Sequence, residues 1–206
     1  MMIKILTVLK SGKEFNAKHV YAIQDMCRRH IHEHEFDFYC LTDLHNLNCN
    51  TINLEHGWPT WWSKIELFKI KGPVLYFDLD IIITNNIDCI ISSVKNYDFI
   101  GLHDQWHAED INSSMMYWKN DMSALYNDFI VNSRQNINKF KGDQDYISSK
   151  ITDRSYIQDV APGQVMSYKA NLNNGKDFDK YKHNIVFFHG PPRPWEQNII
   201  PYNYEV

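Results

Sequence analysis

PVLYFDLDIII, residues 73–83, decides how this chain folds. Val74 to Phe77 are apolar without a break, and a strand apolar on both faces belongs in the centre of a parallel sheet covered by helices. Asp78-Leu79-Asp80 then falls at or near the C-terminal end of that strand, where open α/β sheets bind ligands. In an extended segment residues i and i+2 point to the same side, so Asp78 and Asp80 are expected to act together with Leu79 packed the other way.

Working outward from this strand, IKILTVL at 3–9 reads as a first strand, and Asn16 can cap a helix in which Val20, Ile23, Met26 and Cys27 share a face. FDFYCL at 36–41 is a second strand. Strand, helix, strand is the opening of an α/β domain with a right-handed crossover. Residues 42–59, rich in Asn, Asp and His, read as a long loop beside a site. Trp61, Ile65 and Phe68 resume a helical spacing that Gly72 and Pro73 stop. Downstream, Asn86 can cap a helix through Val94. Strands are expected at 97–102, 113–118, 161–169 and 184–190, with helices near 121–131 and after Asp143-Gln144. PPRPW at 191–195 is too rich in proline for regular structure.

The 206 residues, 44% apolar and 22% charged, suit one sizeable core, and the expectation is a single domain over 1–206. A net charge of −4 with no basic stripe argues against nucleic acid as a partner. No stretch approaches the roughly 20 apolar residues of a membrane span, so no stable membrane insertion is expected. The MMIKILTVLKSG start reads as a strand and not an export signal, which places the protein in the cytoplasm. None of the four cysteines forms a CxxC pair, and Cys27, Cys40 and Cys89 lie where a buried thiol is the ordinary reading.

Two neighbouring carboxylates resist ionising together unless a cation compensates. Mn²⁺ or Mg²⁺ meets that need through oxygen ligands, whereas the bland reading is a strand end with two solvated aspartates. His189 follows an apolar run, where a buried, hydrogen-bonded histidine is the ordinary reading. The adjoining glycine permits close approach, and the acidic pair supplies a reason for an imidazole ligand.

KILTVLKSG, FYCLTDL, WWSKIELF, YFDLDIII, Asn112-Ser113-Ser114, GDQDYI and FHGPPRPW fall in the order seen in glycosyltransferases of the A-type fold. The chain, over roughly Lys4 to Trp195, resembles family 8, the glycogenin and lipopolysaccharide galactosyl- and glucosyltransferase family, and its small bacterial and phage relatives. That resemblance implies an α/β single-domain fold with a Rossmann-like, mostly parallel central sheet flanked by helices. It also implies metal-dependent transfer from a nucleotide-sugar donor, with UDP as the nucleotide, to a glycan or other hydroxyl acceptor with retention of configuration. Carried over residue by residue, Asp78, Asp80 and His189 match the metal ligands, and manganese is the implied ion. Thr7 and Val8 match positions around base and ribose, and Asp43 an acidic residue near the base. Lys64 resembles a basic residue facing the donor, and Asn112 and Ser113 match a turn approaching the donor sugar. Asp143 and Gln144 match the pair beside the reacting carbon. Arg193 stands near where the family has a phosphate-binding lysine, and keeps the charge in a planar fork.

Two other readings stand beside this one. FDLDIII also resembles the opening motif of haloacid-dehalogenase phosphatases with Asp78 as nucleophile, although that family carries it on its first strand. A non-catalytic module binding a nucleotide-sugar or glycan would share the pocket. Trp106, in the polar run GLHDQWHAED, is a candidate acceptor-sugar contact, whereas Trp61, Trp62 and Trp195 read as core or rim packing.

Overall fold

The apolar run at 74–77 lies in the middle of a six-stranded sheet because each of its side chains has a core to enter. The computed structural model describes residues 2–198 and Ile200. Strands β1 (Ile3–Leu9), β2 (Phe36–Thr42), β3 (Asn50–Asn53), β4 (Val74–Phe77), β5 (Ile81–Ile83), β6 (Phe99–His103), β7 (Ile111–Trp118), β8 (Val165–Ser167) and β9 (Ile185–Phe187) form a large and a small sheet. The large sheet runs β3-β2-β1-β4-β7-β6, parallel from β3 to β4 and antiparallel at the two pairings of β7. This is the mixed, mostly parallel α/β architecture that the sequence predicts.

Side-chain alternation divides the core between the two faces of that sheet. Ile3 and Ile5 of β1, Leu75 and Phe77 of β4, and Met115 and Tyr117 of β7 pack with helices α1 (Ala17–His30) and α2 (Asp88–Val94). Leu6, Val74, Tyr76, Met116 and Trp118 pack on the other face with a 3-10 helix (Thr60–Lys69) and helices α3 (Ser123–Val131) and α5 (Asp143–Lys150), while α4 (Ser133–Lys139) is peripheral. Helix α6 (Ile157–Val160) lies beside β6 and α2.

Helix α1 begins as expected, with the Asn16 side chain accepting from Lys18 N at 3.0 Å. Four local expectations change. The 42–59 loop contains β3, a short edge strand whose four residues show no buried side chain, so no apolar signal marked it. WWSKIELFK winds as a 3-10 helix. The β4 strand ends at Phe77, and Leu79-Asp80 form a turn closed by Ile81 N donating to Asp78 O at 3.3 Å. Cys89 is exposed on α2, whereas Cys27 and Cys40 are buried as expected.

That turn passes the chain from β4 to β5, the first strand of the small sheet β5-β9-β8. Strand β9 pairs antiparallel with β5, and Phe188 N donates to Asp80 O at 3.3 Å. The C-terminal part of the chain is thereby tied to the acidic turn.

Gly72, before β4, is held where a side chain does not fit: an added Cβ would stand 2.5 Å from the backbone of Trp118 and Lys119. Backbone cannot rotate away as a side chain can, so Gly72→Ala is expected to lower the unfolding free energy by about 1–3 kcal/mol. Urea titration of the two proteins measures the difference, and equal midpoints would refute the packing argument.

Candidate active site

The C-terminal ends of β1 and β4, the acidic turn, the start of β7 and the N-terminus of α5 enclose one cleft of about 580 Å³. Asp78, Asp80, Lys64, Asn112 and Ser113 line it, and so do Val8, Asp143, Gln144, His189 and Arg193. Thr7 is fully buried and does not line the cleft, because neighbouring residues of a strand face opposite ways. Asp43 stands behind the lining, where its carboxylate takes Lys10 Nζ at 2.6 Å and Ser11 N at 2.8 Å. Asn112 and Ser113 belong to β7 and not to a free turn, next to the point where the β6–β7 register shifts.

Lys64 is the centre of the arrangement. It comes from the 3-10 helix, is buried, and places Nζ 3.0 Å from Asp78 Oδ1 and 3.1 Å from Asp143 Oδ2. Its third partner is Ser113 Oγ at 3.1 Å, which donates in turn to Asp143 Oδ2 at 2.7 Å. Burial alone would depress the ammonium pKa; Asp143 and then Asp78 outweigh it and hold Lys64 above the ordinary lysine value. Tyr76, two residues before Asp78, donates its phenol to Asp78 Oδ1.

Asp80 is buried on the other side of the turn and pairs with Arg193, whose guanidinium also forks onto Glu14 and lies 5.0 Å over the Phe15 ring. Burial, and then the Asp78 charge, push the Asp80 carboxyl up to about 7 against the pull of Arg193 and Lys64. A carboxylate in this state has room for more positive charge than the protein gives it, which fits a bound divalent cation. His189 Nε2 is 2.8 Å from Ser167 Oγ, and Lys169 Nζ donates to the His189 carbonyl at 2.7 Å. Burial, followed by the Lys169 charge, lowers the imidazole pKa and keeps the ring neutral at pH 7, the form a metal ligand requires.

Among the described residues, the group of three His, Cys, Asp or Glu side chains that brings ligand atoms within 4.8 Å of one another is Glu55, His56 and Glu66. Asp78, Asp80 and His189 share the cleft without reaching that spacing. The Glu55-His56-Glu66 group can chelate an ion, but it lies outside the cleft and already holds a cation. Lys69 Nζ is 3.0 Å from Glu55 and 2.9 Å from Glu66, and the Glu66 carboxylate also takes the backbone N–H of Glu55 and His56.

Gln144 directs its amide nitrogen to Asp104, a buried residue whose other oxygen accepts from the backbone N–H of Trp106 at 2.7 Å and of His107 at 2.9 Å. Trp106 is exposed, with its ring centroid 6.1 Å from that of His189. Sequence reading missed Tyr76, Glu14 and Asp104. Tyr76 was accessible to the same i, i+2 argument as the acidic pair. Glu14 had no signal, since it meets Arg193 only through a 179-residue separation.

No protein-family model matches the chain, and no curated protein matches it in sequence. Its backbone is similar to those of solved glycosyltransferases. GlyE of Streptococcus pneumoniae TIGR4 superposes with a TM-score of 0.68 at 14% identity, over 97% of this chain and 57% of that one. The chain thus spans little more than half of GlyE. The galactosyltransferase LgtC, solved with donor and acceptor sugar analogues, gives 0.64 at 12% identity over 96% and 91% of the two chains. A glycosyltransferase involved in glycosylation of the major capsid of PBCV-1 gives 0.58 at 16% identity over 95% and 97%. These likenesses show the A-type glycosyltransferase fold, and at such identities the fold alone.

Two measurements check the charges. Lys64→Met leaves Asp78 and Asp143 facing one another without their shared cation and should cost about 3 kcal/mol of stability. Adding Asp143→Asn to it should return part of that loss, and a strictly additive double variant would deny the coupling. For Asp43, burial raises the carboxyl pKa, but bonds from Lys10 and Ser11 prevail and bring it to about 2. Its contribution is therefore present above the unfolded value of about 3.9 and is lost as pH falls through the folded one. The stability gap between wild type and Asp43→Asn should be about 1–2 kcal/mol at neutral pH and close between about pH 4 and pH 2. A gap independent of pH would remove the ion pair as its cause.

Proposed function

We propose that this protein is a metal-dependent glycosyltransferase, moving a sugar from a UDP-linked donor to a glycan or other hydroxyl acceptor with retention, and that 1–206 form one catalytic domain. The observation that carries the reading is convergence. Residues scattered from Val8 to Arg193, most of them matched through the family resemblance and Asp78, Asp80 and His189 also by their chemistry, line one cleft at the carboxyl ends of the sheet strands in an A-type glycosyltransferase fold. The cytoplasm is the proposed location. No helix among the described residues is long and apolar enough to cross a membrane.

In this reading Asp78, Asp80 and His189 hold Mn²⁺, with Mg²⁺ as the substitute. When bound, the ion supplies positive charge to the donor diphosphate and makes it a better leaving group. The chain's own groups do the rest. Arg193, now on Asp80 and Glu14, presents a planar fork to phosphate oxygens, and Lys64 holds Asp78 and Asp143 in position. Asn112 and Ser113 approach the donor sugar. The bond from anomeric carbon to diphosphate oxygen breaks, the acceptor oxygen bonds to that carbon from the same face, and its proton passes to the leaving phosphate. Gln144, oriented by Asp104, and Asp143 lie along the path of the developing oxocarbenium ion. Asp143, whose Oδ2 is held by Lys64 and Ser113, is given an electrostatic role in this reading.

The phosphatase alternative fits less well. It requires Asp78 as a nucleophile, yet Lys64 and the Tyr76 phenol both engage that carboxylate. A binding module without turnover shares the cleft and differs only in product.

Incubation with UDP-glucose, UDP-galactose, UDP-N-acetylhexosamines and GDP-sugars should release nucleotide from one donor in the presence of Mn²⁺. Asp80→Asn should lower that release by at least about 100-fold, and His189→Ala should weaken the manganese titration by about 10- to 100-fold while leaving the fold intact. Phosphate release from monoesters with no response to any nucleotide-sugar would favour the phosphatase. Tight donor binding without product would favour the binding module.

A further inference from the structure

Trp61 and Trp62 are neighbours in sequence and opposite in environment. Trp62 is buried against Phe129, with ring centroids 5.4 Å apart. Trp61 is 53% exposed and lines the cleft. An exposed indole is unremarkable alone, but the backbone beside this one is unusual. Thr60 has φ +49°, a left-handed conformation that β-branched residues avoid, and it lines the cleft as well. Thr60 is the residue at which the chain leaves Pro59 and enters the 3-10 helix, in which successive side chains such as Trp61 and Trp62 point to different sides. Strain of this kind persists where surrounding structure imposes it, and it clusters at ligand sites.

The far edge of the indole is positioned too. A Cβ added to Gly142 would come within 3.2 Å of Trp61 Nε1. Gly142 immediately precedes Asp143 and Gln144, so the indole stands against the N-terminus of α5. The Lys10–Asp43 pair, by contrast, belongs to the ends of β1 and β2. An aromatic face that closes one wall of the cleft while remaining half open to water suits a ligand that enters from solvent. One face of a pyranose ring presents C–H groups, which the negative face of an aromatic ring attracts, while its edges carry hydroxyls for the polar lining.

We infer that Trp61 is the stacking platform for the acceptor and that the acceptor is a neutral pyranoside. This rests on the transferase reading, deepens it, and places the incoming sugar between Trp61 and the Gln144 side of the cleft. Acceptor preference then follows from which sugars present an unbroken C–H face to the indole.

The test is direct saccharide binding, which needs no turnover. Saturation-transfer NMR and calorimetry on the whole protein with Mn²⁺ and UDP present would compare methyl glucoside, methyl galactoside, lactose and maltose. At least one should bind wild type; Trp61→Ala should weaken it about tenfold, and Trp61→Phe should stay within about threefold of wild type. Circular dichroism and thermal melting of each variant establish that the fold is kept, as expected for a half-exposed side chain. Equal saccharide affinity in wild type and Trp61→Ala would overturn the proposal. So would a loss in Trp61→Ala of UDP affinity as large as that for saccharide, which would assign the indole to the nucleotide. No saccharide bound by wild type would overturn it as well. A wild type that binds saccharide through Trp61 but releases nucleotide from no donor would instead sink the transferase reading and leave the platform standing.

Discussion

The Lys64 ammonium is the constraint on which the cleft depends. Asp78 ends a central strand, Asp143 begins a helix on one face of the sheet, and Ser113 belongs to the neighbouring antiparallel strand; Lys64 touches all three. Two carboxylates brought to one point would otherwise repel. Burying the lysine between them compensates each charge by another and fixes the spacing of three elements at once. Such pairs contribute little net stability relative to an apolar replacement. Their retention here is understandable as geometry: they set where the carboxylates point.

The second acid is treated differently. Asp80 lies beyond the turn and is compensated by Arg193 from the C-terminal region, which Glu14 steadies from the loop after β1. All three groups are far apart in the chain, and Arg193 follows the small sheet, whose β9 strand leads through Phe188 to His189. The arginine is held by Asp80, Glu14 and the Phe15 ring, and the lysine by Asp78, Asp143 and Ser113, so each acid of the turn has its own counter-charge.

The fold was legible wherever alternation or helical spacing met burial. β1, β4 and β7 send successive side chains into two cores, and α1 announces its start with Asn16. β3 was illegible because its side chains remain in water and carry no pattern. The 78–81 turn was read as extended because the chain is apolar on both sides of it; the hydrogen bond that bends it is between backbone groups and leaves no mark on residue type. Val8, Lys64, Asp143 and Arg193 were picked out through the family resemblance, but their partners were not. That Lys64 binds two aspartates, that Arg193 answers to Glu14, and that Asp104 orients Gln144 are facts of long-range placement. The two tryptophans show the same limit, since successive positions of the 3-10 helix put one in the core and the other on a wall of the cleft.

Charge balance gives the strongest physical reason for a metal. The charged side chains lining the cleft are Glu14, Asp78, Asp80 and Asp143 against Lys10, Lys13, Lys64 and Arg193. Most of the positive members are already committed, Lys64 to two aspartates, Arg193 to Asp80 and Glu14, and Lys10 to Asp43 behind the wall. A pocket meant for a diphosphate on lysine and arginine alone would show a surplus of free cations, and this one does not. A nucleotide diphosphate entering it would meet carboxylates as readily as ammonium groups. In the proposed reading, a cation held by those carboxylates would supply the positive charge that turns the acidic turn from an obstacle into a binding element. On the proposed reading, the cleft would take a donor and an ion together, and a diphosphate without a metal would be the ligand it suits least.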